Sequence, residues 1–322
     1  MRKKVQIRAD GSLSLGLGHI VRCFSFAQMI SSDFDIEFVC KEVPESIVNE
    51  IRAKMFSLRI IADDADLIRG LNPGDIVVLD GYGFDLHYQT KIKDRGCVLV
   101  CLDDEHNQKF IADLIINHAP GVKASDYDAR PDTEFALGAD YALLRPDFLE
   151  QAKKKRVITT IETVMICFGG ADYLNLTEQT LKTVSCISHF KRIVVVTGPS
   201  YYDKESLEKI VESDNRIQHY HDLNGKEMLE RMLDAELAIV PASGILFEAL
   251  SVGCIVVSGY YISNQMDNYN GFLNLNAFLD VKDFQKKNLD KVLTELKTSR
   301  LNCHVIDGNS DKRILQKIKS LV

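Results

Sequence analysis

The sequence predicts an α/β fold of two doubly wound, Rossmann-like domains, each on a mostly parallel sheet. Three observations lead there. Short β-branched runs alternate with helix-length amphipathic stretches, the pattern of βαβ units. The alternation crosses a charged stretch near residue 150 and then starts again. The length, 322 residues, suits two domains at roughly 150 residues each.

In the first half, strands are expected at residues 5–9, 36–40, 76–79, 98–102 and 114–116, with helices at 19–31 and 46–54 among them. In the second half, strands are expected at 164–168, 192–197, 217–219, 237–240 and 255–257. Helices at 175–185, 206–212, 226–233 and 244–250 fall between them. The run Gln151-Ala152-Lys153-Lys154-Lys155-Arg156 reads as a solvated linker or helix end rather than a phosphate patch. Domains of 1–150 and 151–322 follow, with their ligand edges facing each other. A helix at 311–321 starts after Asn309-Ser310, which suit an N-cap. It either finishes the second domain or crosses back onto the first.

Composition narrows the class. Hydrophobic residues make up 46% and charged residues 26%, an ordinary globular mix that excludes disorder and fibrous repeats. Against 46 Asp and Glu stand 39 Lys and Arg, for a net charge of −7. Such an acidic chain is a poor non-specific nucleic-acid binder, and no nucleic-acid partner is expected. No run of 18 apolar residues suggests a membrane span. The basic start Met1-Arg2-Lys3-Lys4 resembles a signal peptide's, but Gln6, Arg8 and Asp10 interrupt the apolar region that should follow. The eight cysteines form no C-x-x-C pair, and most sit in apolar runs. They read as buried core thiols in a reducing cytoplasm. A monomer is expected, since no coiled coil or long exposed apolar face is evident.

In doubly wound sheets, ligands bind beyond the C-terminal strand ends. After the first strand comes Asp10-Gly11-Ser12, then Gly16-Leu17-Gly18-His19 and a helix. Helix-start N–H groups there can receive negative charge. The glycines make neither a dinucleotide fingerprint, because Val21 stands at its sixth place, nor a P-loop. His19, on the first helical turn, is expected to be neutral at the positive helix end. It is then either a general base or a ring that orders the loop.

Tyr82, after the strand at 76–79, could reach a ligand through its hydroxyl or pack in the core. Asp103-Asp104-Glu105-His106 resembles a metal set, but consecutive turn residues point apart. Asp103 and Asp104 read better as loop-shaping or sugar-binding carboxylates. In the second half, Gly169-Gly170 after a strand lets backbone amides approach a phosphate closely. Pro241-Ala242-Ser243-Gly244 leads into a helix with Glu248 one turn on. Small residues there leave room for a diphosphate, and a carboxylate at that spacing can accept both ribose hydroxyls. Asn264 and Gln265 would offer polar amides to the cleft.

Taken together, these residues resemble a known family: the UDP-sugar hydrolases of pseudaminic acid biosynthesis. That family is related to spore-coat polysaccharide proteins and to the lipid-linked GlcNAc transferase of peptidoglycan synthesis. The resemblance rests on Arg8-Ala9-Asp10-Gly11-Ser12, Gly16-Leu17-Gly18-His19, Arg22-Cys23, Tyr82-Gly83 and Asp103-Asp104-Glu105. Further along come 123–127, 141–145, Phe168-Gly169-Gly170-Ala171-Asp172, Asn175-Leu176-Thr177, Glu248 and Asn264-Gln265. The family usually has Ser or Thr where Ala171 stands and often Pro at Tyr173, so a hydroxyl near the expected phosphates is missing here.

The resemblance implies the GT-B architecture, with UDP on the second domain and the sugar end of the cleft on the first. It implies hydrolysis of UDP-2,4-diacetamido-2,4,6-trideoxy-β-L-altropyranose with inversion, with no metal and no cofactor. His19 would be the base, with Asp10 and Tyr82 orienting water or sugar. Substrate contacts would come from Gly16, Gly18, Arg22, Asp103, Asp104, Gly169, Gly170, Asp172, Ser243, Gly244, Glu248, Asn264 and Gln265. A glycosyltransferase of the same architecture, or a sugar-nucleotide-binding protein without turnover, are the alternatives. Some family members carry a fused acetyltransferase, for which these 322 residues leave no room.

Overall fold

A computed structural model describes residues 2–12, 16–296, 301–302 and 304–322. The chain forms two compact units: Met1–Pro146 with Asn309–Val322, and Asp147–Gly308. This division differs from the expected 1–150 and 151–322, because the C-terminal segment belongs to the first unit.

Unit 1 holds strands β1 (Lys4–Ala9), β2 (Asp35–Cys40), β3 (Ser57–Ile60), β4 (Ile76–Asp80), β5 (Val98–Leu102), β6 (Lys109–Phe110), β7 (Leu114–Asn117), β8 (Asp128–Ala129) and β9 (Glu134–Leu137). Helices α1 (Gly18–Ile30), α2 (Glu45–Ala53), α3 (Asp64–Arg69) and α4 (Leu86–Lys93) lie between them. Seven strands form one parallel sheet in the order β3-β2-β1-β4-β5-β7-β9, while β6 and β8 pair separately. Every residue of β4 is buried, as expected for a strand covered on both faces. Helix α1 buries Ile20, Cys23, Phe24, Phe26, Ala27 and Ile30 against the sheet side.

Helix α5 (Pro146–Ala152) begins at the boundary. Unit 2 contains β10 (Thr163–Cys167), β11 (Arg192–Thr197), β12 (Ile217–His221), β13 (Leu237–Pro241), β14 (Ile255–Gly259) and β15 (Leu279–Lys282). Its helices are α6 (Leu176–Ser185), α7 (Lys204–Ser213), α8 (Gly225–Asp234), α9 (Gly244–Ser251), α10 (Met266–Asn274) and α11 (Lys286–Glu295). The sheet order is β12-β11-β10-β13-β14-β15, all parallel. Strands β10, β13 and β14 are buried throughout.

Helix α12 (Ser310–Ser320) completes unit 1. Asn309 occupies its N-cap position, and the Ser310 hydroxyl donates to the Ala142 carbonyl at 2.7 Å. Ile314 and Ile318 are buried, and Lys317 pairs with Glu134 at 2.8 Å.

The expected strands all form, within one or two residues at their ends. The two-residue strands β6 and β8 were not anticipated, nor were β3, β9 and β15. The latter three lie at sheet edges and are four residues long, SLRI, EFAL and LDVK, so their apolar alternation is too brief to stand out. Six of the eight cysteines are buried, as expected; Cys186 is exposed, and Cys303 lies outside the described residues. No described helix is long and apolar enough to cross a membrane.

Candidate active site

In unit 1 the strand order reverses between β1 and β4, which run side by side with Ala9 opposite Asp80. A doubly wound sheet opens its ligand crevice at such a switch point. The chain leaves β1 at Asp10, turns tightly and enters α1. Gly16 sits at φ +81°, and its N–H returns to the Ser12 carbonyl at 2.9 Å. The positive φ favours glycine there. Residues 13–15 of this loop lie outside the described residues. Leu17, at the N-cap of α1, makes no side-chain cap bond; Gly18 begins the helix and His19 follows.

The His19 Nδ1 lies 2.7 Å from Asp80 Oδ1. Asp80 is 1% exposed, so its charge persists only through its partners. Burial pushes its carboxyl up, but Arg22 and His19 outweigh that and hold it well below the usual carboxylate range. Arg22 grips Asp80 with a two-pronged fork, Nε to Oδ2 at 2.6 Å and Nη2 to Oδ1 at 2.5 Å. Its third nitrogen, Nη1, donates to Asp104 Oδ2 at 2.7 Å. An ionised carboxylate can only accept, so the short contact at Nδ1 puts the ring proton there. The Nε2 lone pair is then free of Asp80. Arg22 Nη2 stands 3.2 Å from the same Nδ1, a longer approach governed by its bond to Asp80. Tyr82 packs edge-on against the imidazole, ring centroids 4.7 Å apart, and its hydroxyl lies 3.5 Å from Asp104.

The structure thus gathers His19, Arg22, Tyr82 and Asp104 around Asp80, which the sequence analysis did not single out. Asp10 belongs to a neighbouring network. Its Oδ2 accepts from Arg8 at 2.6 Å, and its Oδ1 accepts the Lys41 and Glu42 N–H groups. Arg8, 1% exposed, also donates to Asp64 at 2.8 Å. Asp103 shapes its own loop, accepting from the His106 N–H at 2.8 Å and the Tyr127 hydroxyl at 3.0 Å. Burial raises its carboxyl above the ordinary value. Among the described residues no group of three or more His, Cys, Asp or Glu is arranged to hold a metal ion.

Unit 2 has its own switch point, between β10 and β13. After β10, Gly169 adopts φ +82° and Gly170 accepts the Ser200 N–H through its carbonyl at 3.1 Å. The loops after β10 and β11 touch so closely that a Cβ on Gly198 would stand 2.6 Å from the Gly169 carbonyl oxygen. Asn175 ties them further, accepting from the Tyr201 hydroxyl at 2.8 Å. Asp172, 3% exposed, spends both oxygens on the start of α6, accepting the Leu176 and Thr177 N–H groups at 2.8 and 2.6 Å. It braces the glycine loop against that helix. Tyr173 is 61% exposed.

After β13, Ser243 stands at the N-cap of α9 without a side-chain cap bond. Gly244 is exposed, with open space where a Cβ would be. The first-turn amides of α9 are therefore not capped by the Ser243 hydroxyl. Glu248 is half-buried one turn on, and its charge contributes to raising the buried Cys167 thiol, an effect led by burial itself. Gln265, buried, accepts the Tyr261 N–H at 3.1 Å, and the half-buried Asn264 precedes it in the turn Ser263–Gln265.

Three curated proteins are similar to this sequence over most of its length. The UDP-2,4-diacetamido-2,4,6-trideoxy-β-L-altropyranose hydrolase of Campylobacter jejuni is 28% identical over 267 residues, 81% of this chain and 93% of that protein. The spore coat polysaccharide biosynthesis protein SpsG of Bacillus subtilis is 24% identical over 285 residues, 86% of this chain and 83% of its own. The chain is a homologue of both. An uncharacterised protein of Methanocaldococcus jannaschii is 26% identical over 288 residues, and the match spans 84% of this chain and 58% of that protein. No family model matches. Among solved structures, MurG of Acinetobacter baumannii superposes with a TM-score of 0.65 at 12% identity, covering 99% of each chain. HepE of Anabaena, solved with UDP, gives 0.62 at 9% identity over 99% of this chain and 98% of its own. The fold is the GT-B architecture, and its relatives act in sugar-nucleotide and polysaccharide chemistry.

Proposed function

We propose that this chain is an inverting, metal-independent UDP-sugar hydrolase. It cleaves the glycosyl–phosphate bond of UDP-2,4-diacetamido-2,4,6-trideoxy-β-L-altropyranose, releasing UDP and the free sugar for pseudaminic acid synthesis. The observation that carries this reading is the His19–Asp80 pair at 2.7 Å on the β1–β4 switch point, in a homologue of a hydrolase of that name.

His19 Nε2 takes a proton from a water molecule as that water attacks the anomeric carbon. Asp80 keeps the opposite nitrogen protonated and steadies the imidazolium that forms. The C–O bond to the phosphate breaks on the far side, and the electron pair leaves with UDP. A diphosphate is a good leaving group, so no strong general acid is required. Gly16 and Gly18 shape the loop that presents His19. Tyr82 fixes the ring's edge, and Arg22 with Asp104 anchors Asp80. Asp10, locked by Arg8, sets the course of the loop beyond β1.

In unit 2, the amides after Gly169 and Gly170 and those at Ser243-Gly244 hold the diphosphate as its charge grows. Asp172 braces the first of these loops. Glu248 accepts the ribose hydroxyls, and Asn264 and Gln265 line the same edge. The neutral backbone donors meet UDP without a basic patch, consistent with the net charge of −7. The enzyme would act as a cytoplasmic monomer.

The test is a nuclear magnetic resonance time course with the UDP-sugar and no acceptor. Release of UDP with an inverted anomeric configuration supports the reading, and an intact substrate after prolonged incubation overturns it. His19→Asn should retain UDP binding and lose at least ~100-fold in turnover. A second reading is transfer of the sugar to an acceptor; one relative is named for spore coat polysaccharide biosynthesis. UDP release that depends on an added acceptor would favour it.

A further inference from the structure

Asp80 must hold its carboxylate in one orientation to aim His19, and it does so almost wholly out of water. Its donors divide evenly between the two oxygens. Oδ1 receives His19 Nδ1–H at 2.7 Å and Arg22 Nη2–H at 2.5 Å. Oδ2 receives Arg22 Nε–H at 2.6 Å, and its second position is filled by the Cys23 Sγ at 3.3 Å. Cys23 follows Arg22 on α1 and is 0% exposed. Burial first, and then the Asp80 charge, raise its thiol well above the ordinary value, so Sγ carries its proton and acts as a donor.

We propose that Cys23 is a positioning residue for the His19–Asp80 pair: its thiol supplies the fourth hydrogen bond that fixes the rotation of the Asp80 carboxylate and thereby the aim of the imidazole. This rests on the hydrolase reading for its kinetic consequence, and on the geometry alone for its structural one. Without Sγ–H, Oδ2 keeps one donor. The carboxylate can then turn about the Arg22 fork, and its charge bears more heavily on the His19 Nδ1–H. A proton is held on the ring more firmly, so the acid limb of the turnover profile moves to higher pH. The other groups facing Asp80 stay in place: Arg22 on α1, Cys101 on β5 and His118 after β7, with Asp104 held on the far side of Arg22.

The experiment compares wild type, Cys23→Ala and Cys23→Ser. It measures kcat and KM against pH with the UDP-sugar, and the downfield Nδ1–H proton resonance of His19 in the free protein, assigned by its loss in His19→Asn. Cys23→Ala should lower kcat at neutral pH by about 3- to 10-fold, keep KM within about twofold, and move the acid limb up by roughly half a pH unit, as suits a weak donor. Its His19 resonance should shift as well. Cys23→Ser, which restores a donor on the same carbon, should recover most of both effects. The proposal falls if Cys23→Ala leaves the pH profile and the resonance unmoved, or if Cys23→Ser is as impaired as Cys23→Ala. A wild type that releases no UDP would defeat the hydrolase reading instead, and the resonance would still decide the role of the thiol.

Discussion

Replacing Asp80 with Asn changes one atom and should remove nearly all turnover. In the native site both carboxylate oxygens accept, from His19 Nδ1, Arg22 Nη2, Arg22 Nε and Cys23 Sγ. An Asn amide must turn its NH2 toward one of those pairs. Facing Oδ2's partners, it meets the Arg22 Nε–H; facing Oδ1's, it meets the Nδ1–H and the Arg22 Nη2. The second arrangement relaxes if the ring moves its proton to Nε2, which removes the lone pair that would accept from water. In enzymes where a carboxylate fixes a catalytic His tautomer, this exchange costs about 10⁴ in turnover, or roughly 5 kcal/mol. The Arg22 charge also loses its main counter-ion in a buried setting, which typically costs about 3–5 kcal/mol of stability. Urea unfolding should register that loss, and UDP release at pH 7.5 the first one. Binding of UDP, proposed for unit 2, should stay within about threefold. A folded Asp80→Asn protein that turns over within tenfold of wild type would refute this account of the site.

Gly198→Ala should drive the loop after β11 away from Gly169 and Gly170, because its Cβ meets backbone rather than a flexible side chain. A loss of about 1–3 kcal/mol in urea unfolding, with weaker UDP binding by calorimetry, is expected. Glu248→Ala should weaken UDP by about tenfold, and it should erase most of the preference for UDP over 2′-deoxy-UDP if the carboxylate holds the ribose hydroxyls. His118 is buried with Nδ1 accepting the Leu143 N–H at 3.3 Å, and burial lowers its value from 6.5 to about 3. In the unfolded chain it takes a proton below about pH 6.5, while the folded ring resists until about pH 3. Its contribution is therefore full above pH 6.5 and is lost as pH falls toward 3. Between pH 6.5 and 4.5 that amounts to about 2–3 kcal/mol. His118→Gln should flatten the dependence by that much in unfolding measurements at the two pH values.

How much of this was legible in the sequence depends on how local each signal is. His19 stood out because a strand end, a glycine loop and a helix start frame it within a few residues. Asp80 did not, since it closes the apolar run Val77-Val78-Leu79 and meets its partner 61 positions away only when β1 and β4 come to lie side by side. Arg8 and Asp64 were missed for the same reason, as was Cys23, which read only as core. Asp172 was expected among the substrate contacts only through the family resemblance. Its bonds to the Leu176 and Thr177 amides are a helix-start pattern that spans four and five residues. The central strands announced themselves by burial, and the edge strands β3, β9 and β15 by nothing so clear.

The assignment of α12 to unit 1 bears on how the protein is made. Residues 309–322 emerge from the ribosome only after all of Asp147–Gly308 has been translated. At about 5–20 residues per second, that interval is of the order of ten to thirty seconds. Throughout it, the first unit's sheet is present but the surface that receives Ile314 and Ile318 is bare, whereas the second unit can close as soon as its own last strand and helix are out. The unit translated first is thus the one finished last. The apolar contacts of Ile314 and Ile318 with the first unit therefore form only when synthesis has passed through both units.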